Sequence, residues 1–200
     1  MEKKLRQQKA NIVKVVLFGP ESTGKTTLSK QLARHYNTVW APEYAREYLQ
    51  KKWNNERKTC EADDLIPIAV GQMKLENKLA KKADRVLICD TDLLETKVYS
   101  EEYYGGFVDP LLDKAAKENT YNLYLLTYID TPWEEDDLRD RPGQRKEMFD
   151  AFESALKKYN RPYVLLTGSK EARLQIAVNA IDKIIANKKN LASFSKSLEK

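Results

Sequence analysis

The sequence contains one pattern that is typical of a nucleotide-binding loop. Residues 19–26 read GPESTGKT, which matches GxxxxGK[ST], the phosphate-binding loop or P-loop, in full. In such a loop the backbone N–H groups surround the phosphates, the lysine reaches the outer phosphates and acts in catalysis, and the last hydroxyl binds Mg²⁺. An ordinary glycine-rich turn between a strand and a helix is the alternative. The residues predicted to bind ATP and magnesium are Gly19, Glu21, Ser22, Thr23, Gly24, Lys25, Thr26 and Thr27.

P-loops occur in GTPases, in motor ATPases and in small-molecule kinases, so the loop indicates a nucleotide rather than a reaction. GTPases recognise guanine through an NKxD-type motif after a late strand, and this chain has TYID at residues 127–130 instead. Its 200 residues are also few for a multidomain motor. We therefore predict a small phosphotransferase that uses ATP.

Three acidic residues follow predicted strands and are candidates for the chemistry of transfer. Glu43 comes after the second strand, and Asp90 and Asp92 come after the third. Ligands of open α/β sheets bind beyond the carboxyl ends of the strands. Asp90 resembles a Walker B acid, which binds magnesium, and Glu43 or Asp92 could accept the proton of an acceptor hydroxyl. Alternatively, these acids cap helices, and the nearby Arg46 binds a phosphate, binds one of the acids or is a surface cation.

The segment 130–145 is the least core-like part of the chain and contains three arginines among many acids. Arginine stabilises the charge that spreads over a transferring phosphoryl group, and a segment that closes over the nucleotide would exclude water. We predict that 130–145 is a lid, with its acids keeping the arginines apart when it is open. A solvated charged helix is the alternative. The predicted lid arginines are Arg139, Arg141 and Arg145.

Aromatic residues are frequent around the expected acceptor site. A flat, electron-poor cationic ring would stack well on such side chains, although most aromatic residues simply belong to the core. Trp40 and Tyr44 flank Glu43 and are therefore the preferred candidates for substrate contact. The other aromatic residues of this region are Tyr48, Tyr103, Tyr104 and Trp133.

Alternation of apolar runs with helical patterns predicts the fold. Five strands, each followed by a helical pattern, indicate a doubly wound α/β fold with a five-stranded parallel sheet, helices on both faces and a lid. Pro67 should interrupt the second helical pattern. Predicted strands cover residues 12–18, 38–41, 85–90, 122–129 and 163–167, and predicted helices cover 26–35, 61–82, 93–103, 110–118, 146–159 and 170–187.

Composition indicates one globular domain over residues 1–200, with basic tails at 1–10 and 188–200 that we expect to be solvated ends. The net charge is +5, but the excess of basic residues lies near the two ends, so we expect no nucleic-acid partner. No apolar run approaches the roughly 20 residues of a membrane helix, and no secretory leader is recognised. The two cysteines form no CxxC pair, which favours a reducing cytoplasm. The sequence leaves the oligomeric state open.

Several segments together resemble a known family. The stretches GPESTGKTTL, WAPEYAREYL, IAVGQMKLE, CDTDLLETKVYSEEYYG and YLLTYIDTPWEEDDLRDR occur in the order seen in the ribosylnicotinamide kinase domain of NadR-type proteins. The similarity runs from about residue 13 to the last predicted helix. It is more specific than the P-loop alone.

The resemblance implies an activity: ATP-dependent phosphorylation of the 5′-hydroxyl of nicotinamide riboside, giving nicotinamide mononucleotide for NAD salvage. It implies that Lys25 and Thr26 hold phosphate and magnesium and that Asp90 has the Walker B role. The acceptor side would be lined by Glu43 and Arg46, with Gln72 from the third matching stretch, and Arg139 and Arg141 would act from the lid.

The chain also departs from the family pattern. Many NadR-type proteins carry an adenylyltransferase domain with an HxGH signature and a DNA-binding segment, whereas this chain has one histidine and no room for either, so we expect neither activity. Asp137 stands where many members have glycine. Two alternatives remain: a kinase for another nucleoside or small alcohol, and a non-catalytic module that senses ATP.

Overall fold

The computed structural model of the chain contains a parallel sheet of five strands in the spatial order β2–β3–β1–β4–β5. The structure describes residues 1–139 and 141–198, with side chains of the last helix up to 188 and at 190. Asp140 of the predicted lid and residues 199–200 of the predicted tail lie outside this description. The strands are β1 (Val13–Phe18), β2 (Trp40–Ala41), β3 (Val86–Asp90), β4 (Leu123–Thr127) and β5 (Tyr163–Leu166).

The central strands bring the predicted site together. Every residue of β1 and β3 is buried, as expected for parallel strands that are covered on both faces. In their register Leu17 lies opposite Asp90, two residues before the loop begins at Gly19. The carboxyl end of β3 therefore lies beside the P-loop.

Helices cover both faces of this sheet and bury two apolar clusters. One cluster includes Phe18 and Leu87, and the other includes Leu17 and Ile88, as the alternation of side chains along a strand requires. Among the described residues, no helix is long and apolar enough to span a bilayer. The helices are α1 (Glu2–Leu5), α2 (Lys25–His35), α3 (Tyr44–Glu56), α4 (Leu65–Ala80), α5 (Leu93–Tyr103), α6 (Pro110–Glu118), α7 (Arg145–Lys158) and α8 (Lys170–Leu198).

The helix bounds agree with prediction for α5 and α6 and differ elsewhere. The predicted helix 61–82 is a 3-10 helix, Ala62–Asp64, followed by α4. Pro67 lies in the first turn of α4, where backbone N–H groups have no acceptor within the helix. Proline therefore does not break a hydrogen bond here, and the predicted interruption is wrong. Sequence patterns did not predict α3. None of its residues is buried, so it has no apolar face to detect.

The N-terminal residues are not merely a solvated end. Leu5 is 1% exposed and belongs to the apolar cluster on the α4 side of the sheet. The Gln7 amide donates to Asn119 Oδ1 at 3.1 Å, and the Gln7 side chain donates to Glu76 Oε1 at 3.0 Å. The expectation of a solvated tail at 1–10 is therefore wrong for these residues. At the other end, the backbone of α8 stays helical beyond the predicted limit of 187.

We expect Leu5→Ala to reduce the free energy of unfolding by about 2–5 kcal/mol, because it leaves a cavity in the core. Leu165→Ala is the matched control: Leu165 is 40% exposed, so its truncation should cost about 1 kcal/mol or less. Urea denaturation of both variants measures the difference. Equal, small losses would show that residues 1–5 do not pack as described.

Candidate active site

The P-loop joins β1 to α2 and needs glycine at two positions. Gly19 has φ +133°, and a Cβ there would lie 2.8 Å from the Thr127 hydroxyl and 2.9 Å from its carbonyl oxygen. Gly24, with φ +83°, is the N-cap of α2 and turns the chain into that helix. These left-handed conformations disfavour side chains and point the loop's backbone inward. The start of α2 places the positive end of its dipole at the same point.

Internal hydrogen bonds fix the loop to the rest of the fold. The Thr23 hydroxyl donates to the Pro20 carbonyl at 2.8 Å and lies 2.7 Å from the Thr127 hydroxyl. Arg173 of α8, 4% exposed, donates to the Thr23 carbonyl at 2.7 Å and to the Gly168 carbonyl at 3.1 Å. The Thr23 side chain is thus structural, and only its backbone remains for a phosphate. Sequence patterns did not identify Arg173. Its only feature in the sequence is that it is a basic residue in the first turn of a predicted helix, which is not distinctive.

Lys25 is buried and points into its own loop. Its ammonium donates to the carbonyls of Gly19 at 2.6 Å and Pro20 at 2.9 Å, and it lies 3.2 Å from Glu95 Oε1. Burial lowers the pKa of Lys25, but the charges of Glu95, Glu43 and Asp90 raise it by more. The group is therefore a fixed cation at the place where a phosphate would bind.

Asp90 and Thr26 form a pair at the carboxyl end of β3. The Thr26 hydroxyl donates to Asp90 Oδ2 at 2.6 Å, while Oδ1 of the fully buried Asp90 has no hydrogen-bond partner. Burial raises the pKa of Asp90 to about 7, and the charge of Glu43 adds to this effect. A hydroxyl and a carboxylate with an unpaired oxygen are the hard ligands that Mg²⁺ prefers.

The donor set of this pair fits a magnesium ion that brings ligands of its own. In the described part of the chain, no group of three or more His, Cys, Asp or Glu side chains could hold a metal. Mg²⁺ is commonly bound by one or two protein ligands together with phosphate oxygens and water. The predicted metal ligands Thr26 and Asp90 suit that arrangement.

Glu95 is a site residue that sequence patterns missed. It lies in the first turn of α5, is 2% exposed, and neither of its carboxylate oxygens accepts a hydrogen bond. Burial raises its pKa well above the usual value, while the Lys25 ammonium acts in the opposite direction. The spacing Asp92-x-x-Glu95 is typical of a capping box, in which the glutamate turns back to the cap. Here it faces Lys25 instead.

The hydrogen bonds of Asp92 do not fit the prediction that this acid lies on the acceptor side. Its Oδ1 accepts the backbone N–H of Glu95 at 3.0 Å, and its Oδ2 accepts the Tyr124 hydroxyl at 2.7 Å. The residue is 2% exposed, and burial raises its pKa to about 6. Both oxygens are used, so the geometry supports the alternative interpretation of Asp92, which is the cap of α5.

Glu43 is the N-cap residue of α3, but its side chain does not cap the helix. The Tyr44 N–H donates instead to Gln72 Oε1 at 2.8 Å. Gln72 is 2% exposed and contacts α3. The prediction had placed it in an open acceptor site. The half-buried carboxylate of Glu43 remains at the site, where its charge acts on Lys25 and Asp90.

The two aromatic residues predicted to hold the acceptor have other contacts. Trp40 packs on the α2 side of the sheet, with the Lys30 ammonium 5.5 Å from its ring centroid. The Tyr44 ring lies against the backbone of Gly71, where a Cβ would come within 2.0 Å of it. Neither residue lines the narrow pocket of Pro20 and Glu21 beside the P-loop, and Tyr44 lines a wider cavity at α3 instead. Their role as walls for a ring stays a prediction.

Asp136 of the lid joins two of the predicted arginines. Arg46 donates to both of its carboxylate oxygens, at 3.1 and 2.7 Å, and Arg139 Nε lies 3.1 Å from Oδ2. One carboxylate thus joins Arg46 of α3 to Arg139 of the lid, and the expectation that acids keep the lid arginines apart from one another stays a prediction. Arg46 reaches the lid rather than Glu43.

The first residues of the lid are attached to the P-loop. Arg145 donates to the carbonyls of Thr131 at 2.9 Å and Ser22 at 3.2 Å, and the Glu134 N–H donates to the Ser22 hydroxyl at 2.7 Å. The Arg141 guanidinium stacks on the Tyr103 ring of α5 and lines one pocket with Pro20 and Glu21 of the P-loop. Two predicted nucleotide contacts, Ser22 and Arg145, are therefore adjacent, and the exposed Thr26 and Thr27 lie at the open side of the loop.

Comparison with known proteins agrees with this geometry. A family model described as an AAA domain matches residues 14–173. The trifunctional NAD biosynthesis/regulator protein NadR of Salmonella typhimurium strain LT2 is 34% identical over 128 residues, covering 62% of this chain and 30% of that protein. NadR of Escherichia coli K12 is 32% identical over 155 residues, covering 75% of this chain and 37% of that protein. The chain thus spans about a third of the length of these relatives.

Solved structures give the same result. A crystal structure of NadR protein in complex with NR is 25% identical, with a TM-score of 0.73 over 86% of this chain and 51% of that chain. A deoxyadenosine kinase from M. mycoides shares the fold, at 15% identity and a TM-score of 0.62, over 86% of this chain and all of that one. The predicted P-loop kinase fold is confirmed. The chain belongs to the AAA-domain family that matches residues 14–173 and is homologous to NadR.

Proposed function

We propose that the chain is an ATP-dependent kinase that phosphorylates the 5′-hydroxyl of nicotinamide riboside. The observation that carries the proposal is the juxtaposition of Lys25, Thr26 and Asp90 at one end of the central strands. Homology to NadR, one of whose structures contains NR, supports the choice of acceptor. The fold of nucleoside kinases supports a nucleoside-sized substrate.

The P-loop binds the triphosphate of ATP through its backbone N–H groups. The Lys25 ammonium donates to the Gly19 and Pro20 carbonyls in this structure. When ATP is bound, it donates to the outer phosphates instead, because charged phosphate oxygens are stronger acceptors than carbonyls. Thr26 and Asp90 hold Mg²⁺, which supplies charge neutralisation on the phosphate oxygens when it is bound. Glu95 remains beside Lys25 and stabilises its buried charge.

Glu43 orients the acceptor hydroxyl and takes its proton. Its carboxylate is not used by the α3 N-terminus, and its charge acts on Asp90 across the site. In the transfer, a bond forms between the ribose oxygen and the γ-phosphorus as the bond to the β–γ bridging oxygen breaks, and ADP leaves with that oxygen. The proton of the hydroxyl goes to the Glu43 carboxylate.

Arg46 of α3 and Arg139 of the lid neutralise the charge that develops on the transferring group. Arg46 and Arg139 already meet at the Asp136 carboxylate, which binds them as an anion would. A phosphoryl group also presents anionic oxygens to guanidinium groups, and it carries more negative charge than a carboxylate. Asp136 of the lid therefore holds two cations at one point, one from α3 and one from the lid.

A panel of acceptors tests the proposal. Purified protein is incubated with Mg–ATP and nicotinamide riboside, deoxyadenosine, thymidine or uridine, and ADP release is measured. We expect nicotinamide riboside to have the highest kcat/KM. A higher value for another nucleoside would make that nucleoside the acceptor, and tight ATP binding without any turnover would indicate a sensing module.

We expect Asp90→Asn to reduce kcat/KM by about 100-fold or more, because it removes a charged ligand from the phosphate end of the site. Asp84→Asn is the matched control, since Asp84 precedes the same strand at its other end and its side chain is 68% exposed. Steady-state kinetics with nicotinamide riboside measure both. Similar activities of the two variants would exclude the proposed role of Asp90.

Glu43→Gln and Asp92→Asn separate the two candidate bases. Removing the base should lower the single-turnover rate by about 100-fold to 10,000-fold in Glu43→Gln. An asparagine at 92 can still accept the Glu95 N–H and donate to the Tyr124 oxygen, so we expect that rate to stay within about tenfold of the wild type. The reverse order of effects would make Asp92 the base.

A further inference from the structure

Two consecutive carbonyl groups of the P-loop are bound by side chains from outside the loop. The Ser22 carbonyl accepts hydrogen bonds from the Thr131 hydroxyl at 2.9 Å and from Arg145 at 3.2 Å. The next carbonyl, that of Thr23, accepts a hydrogen bond from Arg173 at 2.7 Å. A guanidinium group therefore holds each of these two peptide units from the side of the lid and α8.

The geometry of the peptide bond turns these contacts into an orientation of the loop. In a planar trans peptide, the carbonyl and the N–H point in opposite directions, and both of these peptide bonds are trans. The Ser22 carbonyl shares its peptide plane with the Thr23 N–H, and the Thr23 carbonyl shares its plane with the Gly24 N–H. Both N–H groups therefore point away from the two arginines. Backbone N–H groups on the concave side of a P-loop are the ones that bind phosphate.

The backbone conformation at Ser22 depends on support from outside the loop. Ser22 has φ +56°, in the left-handed region that residues with a side chain rarely adopt. Its hydroxyl accepts the Glu134 N–H at 2.7 Å, so the lid contacts both the side chain and the carbonyl of this residue. These contacts stabilise a conformation that the loop alone disfavours.

The two arginines lie close together, although their charges repel each other. Arg173 is 4% exposed, pairs with Asp130 and donates to the Tyr128 carbonyl at 2.9 Å. Burial lowers the pKa of Arg145, and the charge of Arg173 lowers it further, while Asp130 offsets only part of this effect. The repulsion results from placing both guanidinium groups against the same loop, which indicates a role in positioning that loop.

We propose that Arg173 is a positioning residue for phosphate binding, because it holds the Thr23 carbonyl so that the Gly24 N–H points at the triphosphate. Thr131 and Arg145 orient the preceding peptide unit in the same way. The inference rests on the proposed use of ATP and adds a buried residue that acts on the nucleotide only through the loop. Donors that are oriented before the ligand arrives need no rearrangement when it binds, so they bind it more tightly.

Arg173→Met and Thr131→Val test this inference in two ways. Arg173→Met removes the donor to the Thr23 carbonyl together with a positive charge. Thr131→Val removes only a neutral donor to the Ser22 carbonyl, at a half-buried position, and so separates orientation from charge. Calorimetry measures the Kd values of Mg–ATP and of magnesium tripolyphosphate, which has no base.

We expect Arg173→Met to raise both Kd values about 10-fold to 100-fold, the range for a lost hydrogen bond to a charged group. Thr131→Val should raise both about twofold to tenfold, since Arg145 still donates to the same carbonyl. The KM for nicotinamide riboside at saturating Mg–ATP should stay near the wild-type value in both variants, because the changed contacts are on the P-loop.

Arg161→Met is the matched control for a loss of stability. Arg161 also donates to two backbone carbonyls, those of Ala116 at 3.1 Å and Lys117 at 2.7 Å, at the end of α6. Both arginine variants should lower the urea midpoint, but only Arg173→Met should raise the Kd values. An equal rise in Arg161→Met would show that general destabilisation weakens binding, and it would contradict the inference.

Failure of this inference is distinguishable from failure of the proposed function. If the wild type binds both ligands and Thr131→Val binds them equally well, the loop needs no orientation from outside and only the inference is wrong. A rise confined to Arg173→Met would then reflect its lost charge, and the result for Thr131→Val decides even if Arg173→Met does not fold. If the wild type binds neither ATP nor tripolyphosphate, the proposed use of ATP itself is wrong.

Discussion

The site depends on one buried ammonium among three carboxylates. Lys25 lies 3.2 Å from Glu95 and also experiences the charges of Glu43 and Asp90. One cation does not balance three anions. Burial is the main cause of the raised pKa values of Asp90, at about 7, and of Glu95, and the charge of Glu43 adds to it in both. The cluster must take up protons or bind further positive charge. A kinase site needs such an arrangement, because its nucleotide arrives with a divalent cation.

The rest of the structure holds this cluster in place. The register of β1 and β3 puts Asp90 beside the P-loop, and Arg173 fixes the loop from the distant α8. Gln72 accepts the first N–H of α3, which leaves the Glu43 carboxylate for the site. These contacts join residues far apart in sequence, so packing of the whole sheet determines the geometry of the phosphate end.

Local signals made part of the site predictable. The P-loop is a contiguous motif, and Asp90 ends an apolar strand, so neither needs tertiary information. Glu95 and Arg173 act through space, and no local pattern separates them from ordinary first-turn residues. Trp40 was assigned to the acceptor because it is near Glu43 in sequence, but side chains alternate along β2. Ala41 therefore faces the cluster on the α4 side, and Trp40 faces α2.

Calorimetric titration of ATP, with Mg²⁺ and then with excess EDTA, tests the central charge imbalance most directly. A triphosphate without its cation would meet the carboxylates of Glu43, Asp90 and Glu95 with Lys25, but no metal ion, to offset them. We expect the Kd to be at least about tenfold lower with magnesium, a difference of roughly 1.4 kcal/mol. Equal affinities under the two conditions would contradict the assignment of Thr26 and Asp90 as metal ligands and of the cluster as the organising feature of the site.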